Sequence, residues 1–163
     1  LPTLKRQKIP RYTLARGDEI TLDKNITLKS MHPGKNNHHN TENNASLVMI
    51  LNYKDICMVF PGDIEEEIEY QLIKDHYRDL ACEVLKVGHH GSKSSSTKGF
   101  LDAINPQIAL IPVGRNNHYG HPHLSVINRF RRKGVQVYRT DIHGAIELST
   151  NGEKVLVKTF IKH

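Results

Sequence analysis

Val84-Leu85-Lys86-Val87-Gly88-His89-His90-Gly91-Ser92-Lys93 is the stretch on which the fold turns. Its apolar, β-branched opening reads as a strand that stops at Gly88. Two adjacent imidazoles follow before Gly91, and both glycines permit a tight backbone path. Histidines at the carboxyl end of a strand stand where open α/β sheets hold their ligands. Such a pair suggests a metal. A metal needs partners from elsewhere, because each side chain contributes one bond and an ion takes four or more. Two candidates are present: Asp63 in Phe60-Pro61-Gly62-Asp63, and His121 in His118-Tyr119-Gly120-His121-Pro122-His123.

Upstream of this stretch, residues 82–87 extend the strand towards Cys82. Ile64, Ile68 and Leu72 recur at helical spacing, with Glu65, Glu66 and Glu67 in the first turn, and predict a helix directly after Asp63. Asp63 is itself placed to cap that helix, with Glu66 completing a capping-box pattern. Residues 46–53 and 56–60 read as strands turning at Lys54-Asp55, and alternation across 18–31 predicts two more, turning at Asp23-Lys24-Asn25. His32-Pro33-Gly34 breaks the second of these. Residues 35–44, with His38 and His39, read as a mobile polar loop. Residues 1–16 are basic and prolyl, without cap or periodicity, as though the chain began within a domain.

Downstream, Thr97 is placed to cap a short helix carrying Phe100, Leu101 and Ile104, which Asn105-Pro106 ends. Residues 108–113 read as a buried strand. Pro122 or a neighbour opens a helix with Val126, Ile127 and Phe130 inward, closed by Arg131, Arg132, Lys133 and Gly134. Strands over 135–139, 144–148 and 155–160 complete the chain, the last two joined through Asn151-Gly152. Asp141-Ile142-His143-Gly144 reads as a turn. Strands alternating with helices, without an internal repeat, make one α/β domain, most simply sheets packed inside helical layers.

A chain of 163 residues suits one core. The net charge of +6 favours an anionic partner such as nucleic acid. No apolar run approaches membrane-spanning length and no signal-peptide pattern opens the chain, so a soluble piece is expected. Neither a Gly-x-Ser-x-Gly elbow, a P-loop nor a Rossmann glycine pattern is present. Cys57 and Cys82, both in apolar runs, read as buried small hydrophobes rather than a ligand or redox pair. Of eleven histidines, five fall between His89 and His123, which concentrates the ligating chemistry there.

Consecutive side chains diverge, so at most one of His89 and His90 is expected to touch an ion while the other orients a ligand or shuttles a proton. Asp63, His89 and His121 are the candidate metal ligands, with Asp63 also readable as a helix cap and His121 as a helix start, and Asp63 and His90 are the candidate catalytic groups. The exchange of roles between the two rings stays open. Ser92, Lys93 and Arg115 are the expected substrate contacts, by hydroxyl and charge.

Several segments in order now identify a resemblance: Asn43-Asn44-Ala45-Ser46-Leu47-Val48, Pro61-Gly62-Asp63-Ile64, the Leu85 to Ser92 run, Val113 to His123, and Tyr138-Arg139-Thr140-Asp141-Ile142-His143-Gly144-Ala145. Together they resemble the carboxyl-terminal metallo-β-lactamase-like domain of ComEC-type DNA-uptake competence proteins, over residues 20–148. That resemblance implies an αββα sandwich and a metal-dependent phosphodiesterase or nuclease acting on incoming DNA. Asp63 matches the superfamily's metal-bridging aspartate, His121 its late histidine ligand, and His89 and His90 its His-His-Gly-Ser motif.

Residues 1–61 hold only His32, His38 and His39, without the early His-x-His-x-Asp-His spacing that supplies most ligands of the first metal. The expectation is therefore a single partial domain over 1–163, the second half of the sandwich. On its own it would be impaired as an enzyme, holding one Zn or Mn weakly or none. Its parent would be embedded in a bacterial membrane through other segments. The rival expectation is an inactive DNA-binding module using Lys86, Lys93, Lys98, Arg115, Arg131, Arg132 and Lys133. Against it stand an aromatic content of 6% and the absence of Trp, which leave few platforms for stacking single strands. A stand-alone hydrolase of the same superfamily is the third.

Overall fold

In the computed structural model, residues 7–35 and 41–161 are described. His38 and His39 lie outside them. Among the described residues nine strands form two sheets: β1 Glu19–Asp23, β2 Ile26–His32, β3 Val48–Tyr53, β4 Ile56–Phe60, β5 Val84–Lys86, β6 Ile108–Ile111 and β7 Gln136–Arg139 in one, and β8 Ile146–Thr150 with β9 Val155–Thr159 in the other. The large sheet follows chain order. Strands β1 to β4 pair antiparallel, β1 with β2 and β3 with β4 through short turns, and β4 to β7 run parallel.

Parallel neighbours need crossovers, which three helices supply: α1 Glu66–His76, α2 Lys98–Ile104 and α3 Leu124–Arg132. Ile68 and Leu72 of α1, Phe100, Leu101 and Ile104 of α2, and Val126 and Phe130 of α3 join Val48, Ile50, Val59, Leu85, Ala109 and Ile111 of the sheet in one buried core. The three helices therefore cover the same face. On the other face the β8–β9 hairpin covers only part of the sheet. Leu148 and Val155 of the hairpin, with Leu51, Ile56, Met58 and Val84, line a cavity of about 140 Å³. Leu28, Leu47, Met49 and Phe60 line a second, open depression beside Gly62. No helix among the described residues is long and apolar enough to cross a membrane.

Thr97 accepts from the backbone N–H of Phe100 and caps α2 as the sequence suggests, and Gly134, at φ +68°, follows α3. A neighbour of Pro122 opens α3, which begins at Leu124 behind His123, whose Nδ1 accepts from the Ser125 N–H. Two local expectations need correction. Asp63 does not cap α1: that helix begins at Glu66, after Glu65 in extended conformation. Residues Thr140–His143 form one helical turn, α4.

The cysteines are the third correction. Cys57 and Cys82 form a disulfide with Cα atoms 5.0 Å apart. The parallel register opposes Met58 to Val84, which sets Cys57 beside the Cys82–Glu83 segment that leads into β5. A separation of 25 residues hides that neighbourhood from any local reading.

Candidate metal and hydrolytic site

All four parallel strands end at the same edge of the sheet, where β4 gives Asp63, β5 the His89–His90 pair, β6 the loop to His121, and β7 the Thr140–Asp141 turn. The turns at that edge are locked to one another. Gly62 has φ +63°, and a Cβ there would stand 2.6 Å from Ser46 Cβ. The space is already filled by Ser46, whose Oγ accepts from the Asp63 N–H at 3.1 Å. Asn44 Oδ1 accepts from the Glu65 N–H at 3.0 Å, and the Asn44 carbonyl pairs with His32 Nε2 at 2.8 Å. The Asn43–Ser46 segment thus braces the aspartate turn. With the cap role gone, the Asp63 carboxylate has no hydrogen bond among the described residues.

His89 and His90 both adopt left-handed backbone, at φ 46° and 53°. That conformation is costly for residues with a Cβ and is held only by surrounding contacts. Here the contacts are the His89 N–H donating to the Gly62 carbonyl at 3.1 Å and the His123 N–H donating to the Gly91 carbonyl at 2.8 Å. Gly91 has φ +83°, and a Cβ on it would lie 2.6 Å from Pro122 Cβ. The histidine turn is therefore clamped between the aspartate turn and the His121 loop.

These ties bring the His89 and His121 rings to 5.8 Å between centroids, edge to face, with Tyr119 stacked on His121 at 5.9 Å. Nδ1 of His89 and Nδ1 of His121 are buried without a hydrogen-bond partner among the described residues. The first lies 3.8 Å from Glu65 Oε1. His90 differs. Its exposed ring donates from Nδ1 to the Pro112 carbonyl at 2.7 Å, since a carbonyl only accepts, and Nε2 is left to carry the lone pair when the ring is neutral. Two buried Nδ1 atoms without donors or acceptors are what an ion would satisfy. Yet no three His, Cys, Asp or Glu side chains converge tightly enough to hold a metal among the described residues. The set present does not by itself make a metal centre.

Burial first, and then the charges of His89, His90 and His123, hold the His121 imidazole below the usual histidine range. A lowered value means that the folded state binds fewer protons than the unfolded chain, so stability is present above pH about 6.5 and is lost as pH falls below it. With chelator present, the His121 ring signals are expected to titrate below those of a free histidine, and His89→Gln is expected to raise the midpoint. Proton NMR of the ring resonances checks both. An unchanged midpoint in the variant would remove the electrostatic account.

Of the expected substrate contacts, Lys93 and Arg115 are exposed, and Arg115 Nε donates to the Asp141 carbonyl at 3.2 Å. Ser92 is 8% exposed, its hydroxyl engaged with Ser94 Oγ at 3.0 Å. Lys86, half-buried, feels the Asp63 charge, although burial outweighs that charge and lowers its pKa. Among the basic residues, Lys98 and Lys133 share Asp102, at 2.6 and 2.7 Å. Arg131 and Arg132 stay exposed.

Local reading missed the residues that hold the loop after the histidines. Glu69, 1% exposed, accepts from the N–H groups of Ser96 and Thr97 at 2.5 and 2.8 Å. Arg129 donates to the carbonyls of Lys93, Ser95 and Ser96. Nothing in one sequence marks either side chain, since both sit on helices where charged residues are ordinary. Thr140 also braces, accepting from the Val113 N–H at 2.7 Å and donating to the Val113 carbonyl at 2.8 Å. Arg139 and Asp141 pair through two bonds beside it, at 3.0 and 2.6 Å. The Arg-Thr-Asp segment fixes the root of the His121 loop.

The fold has a solved counterpart. The chain superposes on a protein of Parabacteroides distasonis assigned as a metal-dependent hydrolase, with a TM-score of 0.54 at 14% identity, covering 86% of this chain and 61% of the other. In sequence it is 38% identical over 107 residues to ComE operon protein 3 of Bacillus subtilis, and 35% over 106 to competence protein ComA of Neisseria gonorrhoeae. It is 31% identical over 108 residues to recombination protein 2 of Haemophilus influenzae. These matches cover 65–66% of this chain but only 13–15% of the relatives, so the chain spans about a seventh of their length. No family model matches.

Proposed function

We propose that this chain is the second half of a metallo-β-lactamase-like hydrolase domain that cleaves DNA phosphodiesters during uptake. The observation that carries the reading is the meeting of the His89 and His121 rings, each with an Nδ1 left unsatisfied among the described residues, at the sheet edge that also delivers Asp63 and His90. The likeness to competence proteins supplies the DNA context, and the structural neighbour is in keeping with hydrolysis. The partly covered apolar face of the large sheet accords with a second sheet, which would bring the missing ligands from outside these residues. The parent would sit in the membrane through other segments.

Mixed carboxylate and imidazole donors suit Zn or Mn, which would generate the attacking hydroxide when bound. Within this chain, Asp63, His89 and His121 would offer donors. His90 would hold or release a proton at Nε2, and Lys93 and Arg115 would meet phosphates at the rim. Ser92 would shape the loop beneath them.

The test is hydrolysis of labelled DNA by the parent protein, stripped with chelator and resupplied with Mn or Zn. Activity that metal restores, and that falls about a hundredfold or more in Asp63→Ala and His121→Ala, is the expected result. The second reading, an inactive DNA-binding module, is favoured by the lack of a three-ligand group among the described residues. It requires no metal-restored cleavage, and binding that both variants retain with a steep salt dependence.

A further inference from the structure

We infer that this domain folds and works in an oxidising, extracytoplasmic compartment, with Cys57 and Cys82 covalently joined. They are the chain's only two cysteines, and both backbones are fixed by bonds that do not involve sulfur. The Cys57 N–H donates to Glu83 Oε2 at 2.9 Å, and the Cys82 N–H to the Ile104 carbonyl at 3.0 Å. The sheet therefore holds the two Cα atoms 5.0 Å apart, within the span a disulfide bridges, whatever the state of the sulfurs. Neither residue belongs to the site edge. The pair joins the start of β4 to the segment leading into β5, at the opposite end of both strands from Asp63 and His89.

Two thiols so placed close to a disulfide wherever an acceptor exists. The thiols lose two electrons and two protons, the S–S bond forms, and a protein disulfide of an oxidase, or a small-molecule disulfide, is reduced to two thiols by exchange. Glutathione and thioredoxin oppose that reaction in a cytosol, and the bacterial periplasm and cell exterior favour it. Taken with the function proposed above, on which this one step rests, DNA meets the domain before it reaches the reducing interior.

The test uses cells producing the parent protein, quenched in acid and alkylated in denaturant, so that burial of Cys82 does not protect a thiol. Trypsin without reductant should then release residues 55–74 and 79–86 as one disulfide-linked species carrying no alkyl group. A second arm treats intact cells with a charged, membrane-impermeant phosphine and then an impermeant maleimide, and label is expected on half-buried Cys57. Recovery of both peptides separately alkylated would overturn the bridge. A bridge that the impermeant reagents reach only after lysis would overturn the compartment. Neither readout depends on DNA cleavage, so failure here and failure of the nuclease reading are separable.

Discussion

Glu69→Ala is expected to lower stability by about 3 kcal/mol, read as a fall in the urea midpoint at unchanged slope. The carboxylate is enclosed by the core and serves as the acceptor for two backbone N–H groups, those of Ser96 and Thr97. Truncation leaves the buried Ser96 N–H and the half-buried Thr97 N–H without partners, and a buried donor so orphaned costs about 1–3 kcal/mol. It also removes the charge that faces Arg129. Arg129→Ala should cost about 2 kcal/mol, because three carbonyls lose one guanidinium. The double variant should lose less than the sum of the two, since both hold the same loop.

The pH dependence gives Glu69 a separate signature. Burial, the dominant influence, raises its pKa against the hydrogen bonds and Arg129 that lower it. The folded state then binds the proton more tightly than the unfolded chain does. Stability is therefore fullest below the unfolded value of 4.5 and declines as pH rises through the folded value. Glu69→Gln, which keeps an acceptor oxygen and cannot ionise, should flatten that decline. A slope identical to that of the parent chain would show that the carboxyl titrates as it does in water.

Reducing the Cys57–Cys82 bond is expected to cost about 3–4 kcal/mol, the loop-closure entropy for a separation of 25 residues. The closed loop contains Asp63 and the whole of α1, and hence Glu69. Urea denaturation with and without reductant, beside the Cys57→Ala/Cys82→Ala variant, measures it. The variant should match the reduced protein and be indifferent to reductant. If reductant leaves the midpoint of the parent chain unmoved, the bridge contributes nothing to folding. The disulfide and the Glu69 clamp thus act on the same strand–helix–strand unit, the one that delivers both Asp63 and the histidine turn.

Sequence alone was enough for the elements and for the sheet edge at which Asp63, the histidine pair and the His121 loop stand. Hydrophobic periodicity is a local property: alternation located β1 to β4, the Ile64-Ile68-Leu72 spacing located α1, and Thr97 and Gly134 marked ends through bonds made within a few residues. The site candidates were legible for the same reason, since Asp63, His89 and His121 each follow a strand and precede a helix or loop. Boundaries were less secure. Asp63 has the composition of a cap, but Ser46 and the Gly62 turn hold it away from the helix start.

Tertiary structure decided what depends on distant partners. It joined cysteines 25 residues apart, because parallel register rather than spacing makes them neighbours. It turned Glu69 and Arg129, unremarkable on their helices, into the clamp of the loop that follows the histidines. It gave His90 a bonded Nδ1 while leaving those of His89 and His121 without partners, a distinction that two left-handed residues and a carbonyl 22 positions away create. Periodicity reports which face of an element is buried. Only the packed chain fixes which groups meet there, because hydrogen bonds and charges act over a few ångströms of space, without regard to separation along the chain.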